Sequence, residues 1–238
     1  MPPVTPASRR PERPSIPLPD AAPLTVPVDL DARLAALEIT LDAPAIARTS
    51  DFLGRLLAMN ELVNLTAITD PAEAWSRHAL DALTLVPLMA DLAEGSAVLD
   101  VGSGGGVPGI PMAIARPDLA FTLVEATQKK ASFLTAVSAA LGLTNVTVLA
   151  ERAEVLGPTM RARFDVVTAR AVGRLVALVP LTIPFVKPGG RVMLIKGQRA
   201  EEELAEAAHI IARSRLSHEK TVPTPTGRIV VLRALPRR

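Results

Sequence analysis

The chain has 238 residues, 49 % of them hydrophobic and 21 % charged, which is the length and balance of one α/β domain with smaller appendages and a large core. It has no Cys, which excludes disulfides, zinc–thiolate sites and a thiolate nucleophile; five Phe, one Trp and no Tyr exclude the aromatic platforms on which many single-strand RNA binders stack bases. The net charge of +2 is uneven: residues 29–186 hold 12 basic and 17 acidic residues, whereas residues 187–238 hold 11 and five. The basic C-terminal fifth reads either as a phosphate-facing surface or as a solvated face of mixed charge.

Residues 1–28 contain nine Pro and little apolar periodicity, and are expected to form a disordered tail. A helical cap is expected over residues 29–94. Leu34, Leu37 and Leu41 recur at three- and four-residue spacing, and Pro44 stands where a first helical turn tolerates it. Phe52, Leu53, Leu56 and Leu57 mark the apolar face of a second helix, and a third is expected from about Pro71 through Leu88, after the polar turn at Asp70. Over residues 95–238 short apolar runs alternate with helical stretches. Ala97–Val101, Ala120–Val124, Val146–Leu149, Phe164–Thr168 and Arg191–Ile195 read as buried parallel strands, with helices at Ile110–Ala115, Lys129–Leu141, Leu175–Val186 and Glu201–Arg213. This alternation predicts a doubly wound, Rossmann-like α/β fold. Lys220–Val222 and Arg228–Leu235 flank a turn at Pro223–Gly227, an antiparallel hairpin that brings the expected sheet to seven strands. No run approaches the roughly 20 apolar residues that cross a bilayer, and the N-terminus lacks an apolar signal core, so a cytoplasmic location is expected.

The first strand leads into Asp100-Val101-Gly102-Ser103-Gly104-Gly105-Gly106-Val107-Pro108-Gly109. Glycines there let the backbone turn sharply and approach a ligand closely, which implies a nucleotide-like cofactor. Gly104, Gly106 and Gly109 match the dinucleotide fingerprint, so an NAD enzyme has to be weighed, as does a purely structural turn. An acid at the strand end followed by three alternating glycines instead resembles the first-strand pattern of the S-adenosylmethionine (SAM) methyltransferases. Glu125 ends the second strand 23 residues after Gly102, placed either to accept hydrogen bonds from ribose hydroxyls or to cap the helix that starts near Thr127.

Five further stretches make the resemblance specific: Asn64-Leu65-Thr66-Ala67-Ile68, Trp75-Ser76-Arg77-His78-Ala79-Leu80-Asp81, Pro108-Gly109-Ile110-Pro111, Thr168-Ala169-Arg170-Ala171-Val172 and Lys187-Pro188-Gly189-Gly190. Together they resemble the successive signatures of the RsmG (GidB) family over about Leu34 to Leu235, with Ala82 where that family usually has Ser. The resemblance implies a class I SAM methyltransferase fold, SAM as cofactor, and methylation of N7 of a guanine in the decoding-region loop of 16S rRNA, free or in an assembling small subunit. It implies SAM contacts at Gly102, Val107, Ala153, Glu154 and Arg170, which join Gly104 and Glu125 from the reading of the residues. For Ala153–Glu154 a plain strand-to-helix turn, and for Arg170 a structural pair with a carboxylate, are the alternatives.

Asn64, Arg77, His78 and Asp81 precede the cofactor region and are candidates for the substrate side, with Lys196 after the fifth strand a candidate for RNA phosphate. Arg77 and Asp81, at i,i+4, could equally form a surface ion pair. His78 has no second His at ligand spacing, so no metal site is expected, and the protein is expected to act as a monomer away from membranes. Absence of Cys excludes the covalent route to pyrimidine C5, and no Asp/Asn-Pro-Pro-aromatic run follows the fourth strand as it does in many exocyclic-amine methyltransferases. Guanine N7 already carries a lone pair, so positioning and electrostatics suffice and no catalytic base is assigned. A small-molecule methyltransferase and a non-catalytic SAM-binding, ribosome-associated protein are the competing functions.

Overall fold

The computed structural model describes residues 16–170 and 173–236. Helices α1 (Leu30–Ala36) and α2 (Ala43–Asn60) open the N-terminal cap. Asp42 starts α2 by accepting a hydrogen bond from the Ala45 N–H at 2.8 Å, a cap of the kind that contributes about 1 kcal/mol. The apolar face it begins buries Phe52, Leu53, Leu56 and Met59 against Leu30 and Leu34 of α1. In place of one helix from Pro71 through Leu88, the chain forms α3 (Pro71–Ala74), a π-helical segment (Trp75–Leu80), α4 (Asp81–Leu83) and a 3₁₀ turn (Pro87–Met89). The Asp81 N–H reaches back five residues to the Ser76 carbonyl. A widened turn of this kind leaves no mark on a 3.6-residue apolar pattern, and it tends to occur where a helix carries functional side chains.

Residues 16–28, expected to be tail, are laid along α2 instead. The Leu24 N–H donates to the Ser50 carbonyl at 3.1 Å, the Ser50 hydroxyl donates to the Leu24 carbonyl, and Ile16, Leu18 and Leu24 pack on the core. The approach is possible because Gly54 of α2 has no side chain; a Cβ there would collide with the Ala22 carbonyl. An extended Pro-rich strap thus gains order from a groove on a neighbour rather than from periodicity of its own. The expectation for residues 1–15 falls outside the described residues.

The sheet contains β1 (Ala97–Val101), β2 (Ala120–Val124), β3 (Val146–Leu149), β4 (Phe164–Arg170), β5 (Val186–Lys196), β6 (Leu216–Pro223) and β7 (Arg228–Ala234). Their order is β3-β2-β1-β4-β5-β7-β6, parallel through β5, with β7 antiparallel to both its neighbours. This is the Rossmann-like α/β sheet with a C-terminal antiparallel hairpin. Side chains alternate between faces: Val98, Val166 and Met193 meet α5 (Gly109–Ala115), while Leu99, Val101, Val167, Ala169 and Leu194 meet α8 (Leu175–Thr182) and α9 (Ala200–Arg213). Helix α6 (Gln128–Ala140) joins α5 and the cap in one apolar cluster, and the short α7 (Ala153–Leu156) follows β3.

Four boundaries depart furthest from expectation. Helix α8 stops at Thr182, not Val186, because Pro184 cannot continue the ladder and restricts Ile183 before it. The chain released there starts β5 at Val186, which pairs with Phe164 before an irregularity shifts the register to Val166–Arg191. Strand β6 is longer than its apolar residues suggest: Ser217, His218 and Glu219 are polar, but pairing with the buried β7 supplies the ladder. Strand β4 likewise runs on to Arg170.

Candidate active site

The chain runs from β1 outward to β3 and then crosses to β4, so the sheet reverses order between β1 and β4 and opens a crevice at their carboxyl ends. In register, Val101 is level with Val124 on one side and Ala169 on the other. The next residues, Gly102, Glu125 and Arg170, therefore emerge side by side at the mouth of this crevice.

Carboxylates shape the glycine loop. Asp100 is fully buried; one oxygen accepts the Gly109 N–H at 3.2 Å and the other the Thr168 hydroxyl at 3.1 Å, while burial pushes its carboxyl up to about 6. Glu125 accepts the Gly104 N–H at 2.9 Å and the Thr127 N–H at 2.7 Å, so it ties the loop to the start of α6. The capping and ligand readings of Glu125 are compatible, since a carboxylate offers about four lone-pair positions and two remain. Gly104 has φ +55°, and a Cβ on it would meet nothing nearer than the Gly102 carbonyl at 3.9 Å, because that side faces a cavity. A Cβ on Gly105, by contrast, would come within 2.7 Å of Leu56 of the cap.

That cavity has a volume of about 460 Å³, within the range of small-molecule sites, and Gly102, Gly104, Val107, Glu125, His78 and Arg170 all line it. A neighbouring pocket of about 210 Å³ shares Gly102 and Ala126 and is lined by Ala153 and Glu154. His78 sits on the π-helical segment, 1 % exposed. Its Nδ1 lies 3.0 Å from an Arg170 guanidinium nitrogen and its Nε2 lies 3.0 Å from the Thr66 hydroxyl. Burial, then the positive charges of Arg170 and Arg77, lower the imidazole pKa to about 3. Arg170 also donates to the Arg77 carbonyl at 2.6 Å, and burial lowers its own pKa. Among the described residues no carboxylate hydrogen-bonds to Arg170, so the structural-pair alternative does not describe it; Asp81 and Asp100 act on it only at longer range.

Other candidates lie outside this cavity. Asn64 is exposed and does not line it. Arg77 pairs with Glu73 at 3.2 Å rather than with Asp81, and only its carbonyl takes part in the network. Asp81 is buried and turned toward the β6–β7 turn, where it accepts from the Thr226 N–H at 3.0 Å and from the Thr226 hydroxyl. Lys196, expected to face phosphate, is drawn inward instead: its ammonium pairs with Glu203 at 2.9 Å, with side chains 8 % and 14 % exposed. A Lys whose stem is covered by α9 gains more from a nearby carboxylate than from solvent. Two residues that sequence reasoning did not single out, Thr66 and Lys130, also line the large cavity, and Arg152 lines the small one. Thr66 stood inside a motif already noted, but a hydroxyl carries no sequence signal until its partners are known.

Comparison with known proteins agrees with this geometry. The sequence model of the family described as GidB, rRNA small subunit methyltransferase G, matches residues 45–229. A Ribosomal RNA small subunit methyltransferase G from Sorangium cellulosum is 64 % identical over 93 % of each chain, and one from Leuconostoc mesenteroides is 37 % identical over 84 % of this chain and 85 % of its own. The solved structure of a SAM-dependent methyltransferase from Aquifex aeolicus superposes with a TM-score of 0.56 at 17 % identity, covering 70 % of this chain and 94 % of the other, a likeness of fold. The chain thus belongs to the GidB family, the small-subunit rRNA methyltransferases G.

Proposed function

We propose that this protein is a SAM-dependent methyltransferase that methylates N7 of a guanine in the decoding-region loop of 16S rRNA, as a cytoplasmic monomer acting on free RNA or an assembling small subunit. The observation that carries the reading is one cavity, at the topological switch point, lined by both a carboxylate acceptor and several donors. Glu125 keeps free lone pairs beside Gly104, the position where a Cβ would project into open space, while Arg170, Lys130 and Thr66 bring donors to the same cavity. These residues fit SAM: Glu125 for the ribose hydroxyls, Gly102, Gly104 and Val107 along the chain of the cofactor, and Ala153 and Glu154 in the adjoining pocket for the adenine.

Bound there, SAM supplies an electrophilic methyl group on a sulfonium sulfur. The protein's part is to hold the base in line and to exclude water. His78 cannot serve as a general base near neutrality, because Arg170 occupies Nδ1 and the ring stays neutral with its other nitrogen on Thr66. A neutral ring nitrogen as nucleophile needs no such base, which is why N7 suits this site better than an exocyclic amine.

The test is to incubate the purified chain with SAM and unmodified 16S rRNA or small subunits and to map the product by mass spectrometry. One N7-methylguanine in the decoding loop is expected, lost with Gly104→Val, whose side chain would fill the cavity in a backbone conformation that L residues rarely adopt. A methyl on an exocyclic amine, or none on rRNA, would overturn the proposal.

A further inference from the structure

Hydrogen-bond bookkeeping around His78 fixes the direction of every proton in the network. A guanidinium nitrogen can only donate, so the 3.0 Å contact from Arg170 makes Nδ1 of His78 an acceptor without a proton. A neutral imidazole carries its one proton on the other nitrogen, so Nε2–H donates to the Thr66 Oγ1 at 3.0 Å. The same oxygen accepts the Ile68 N–H, also at 3.0 Å. Both lone pairs of the Thr66 hydroxyl are thereby used, and its own proton is left to donate. Among the described residues no acceptor lies within reach of that proton, while Thr66 lines the large cavity.

From this we infer that Thr66 is a ligand-facing hydrogen-bond donor, aimed into the cavity by a His78 locked in the Nε2–H tautomer, and that it takes an oxygen acceptor of the bound ligands. The donors that share the cavity set the chemistry. Arg170, joined to Thr66 through His78, and Lys130 can only donate, so with Thr66 they suit a carboxylate or carbonyl oxygen, whereas Glu125 suits hydroxyls. Two such oxygens exist under the proposed function on which this inference rests: the carboxylate of the cofactor's amino-acid end and the carbonyl oxygen beside N7 of guanine. His78 is then a positioning residue, since it touches Thr66 and Arg170 rather than the reacting atoms. The Thr66–Ile68 turn and the π-helical segment, 12 residues apart, meet through this one imidazole.

Thr66→Val keeps the branched shape and removes the hydroxyl, and Thr66→Ser restores it. S-adenosylhomocysteine affinity, measured by calorimetry on the full chain, and single-turnover methylation of an rRNA fragment at saturating SAM separate the two oxygens. A loss of about tenfold in affinity with Thr66→Val, recovered in Thr66→Ser, assigns the cofactor carboxylate; unchanged affinity with a tenfold slower turnover, also recovered by Ser, assigns the base. If neither quantity changes in a Thr66→Val protein that remains folded, the inference is wrong. Nitrogen chemical shifts of His78 give a readout independent of activity. They should report a protonated Nε2 and bare Nδ1 from about pH 5.5 to 8, and the opposite tautomer, or titration within that range, overturns the assignment. Failure of the proposed function itself would show differently, in the wild type, as absence of S-adenosylhomocysteine binding or of N7 methylation of rRNA.

Discussion

Burial pulls two ionisable groups in opposite directions, His78 in the cavity wall and Asp100 beneath the glycine loop, and folding stability should record both. His78 falls to about 3 from an ordinary value of 6.5, so below pH 6.5 the unfolded chain takes up a proton that the folded one refuses. Stability from this source is intact above pH 6.5 and is lost progressively as pH falls toward 3. Asp100 rises to about 6 from 3.8, so the folded state holds its proton longer than the unfolded one, and that contribution, complete below pH 3.8, is lost as pH rises toward 6. Each group alone changes stability by about 1.4 kcal/mol per pH unit inside its window. Where the windows overlap the slopes oppose one another and mask both effects in the wild type. Replacement unmasks them: in urea unfolding, the stability advantage of wild type over His78→Asn should shrink as pH falls from about 6.5 to 4.5, and that over Asp100→Asn should shrink as pH rises across the same span. Advantages that stay constant with pH would mean that neither group is buried in its present charge state.

At the scale of elements, the strap over α2 shows how a segment without periodicity can be ordered by its neighbour. Gly54 is inside α2, where Ala would ordinarily gain about 0.5–1 kcal/mol, yet its missing Cβ is what lets residues 22–24 approach. Gly54→Ala should therefore destabilise the full chain by about 1–3 kcal/mol through the collision with the Ala22 carbonyl, and should become neutral or stabilising in a chain lacking residues 1–28. Thermal unfolding of the four proteins checks this; the same cost in both backgrounds would remove the strap from the account. Such a contact is invisible in sequence because it joins a Pro-rich stretch to a single Gly on another element. The parallel strands were legible for the converse reason: β1, β2 and β4 are buried on both faces, so their apolar runs are continuous and the turn glycines bound them. Gly102, Gly104 and Glu125 were readable from that frame alone. The π-helical segment was not, since one inserted residue leaves the burial of Trp75, Ala79 and Leu80 intact while it sets the His78 ring between Thr66 and Arg170.

Over the whole molecule, charge counted along the sequence and charge available in space part company. Five of the 11 basic residues of the C-terminal fifth are neutralised in place: Lys187 pairs with Asp165, Arg191 with Asp91, Lys196 with Glu203, Arg199 with Glu202 and Arg233 with Glu219. Lys130 and Arg152 have no ion-pair partner among the described residues, although they belong to the mildly acidic body, and they line the two pockets. A cation already held by a carboxylate releases few counterions from RNA, whereas an unpaired one at the mouth of the site releases its full share. Binding of an rRNA fragment should accordingly weaken steeply with salt, and Lys130→Ala or Arg152→Ala should each reduce the slope of log affinity against log salt by about 0.7 without lowering the unfolding midpoint. Lys196→Ala should do the reverse. It leaves the slope unchanged and costs on the order of 2 kcal/mol of stability, because Glu203 of α9, whose carboxylate also accepts the Leu175 N–H at 3.0 Å, is left in its largely covered position with its charge unmatched. Filter binding across a salt series, with unfolding measured on the same samples, decides between the two surfaces. A slope that falls with Lys196→Ala and not with Lys130→Ala would move the RNA face to the C-terminal hairpin side and away from the pocket mouth.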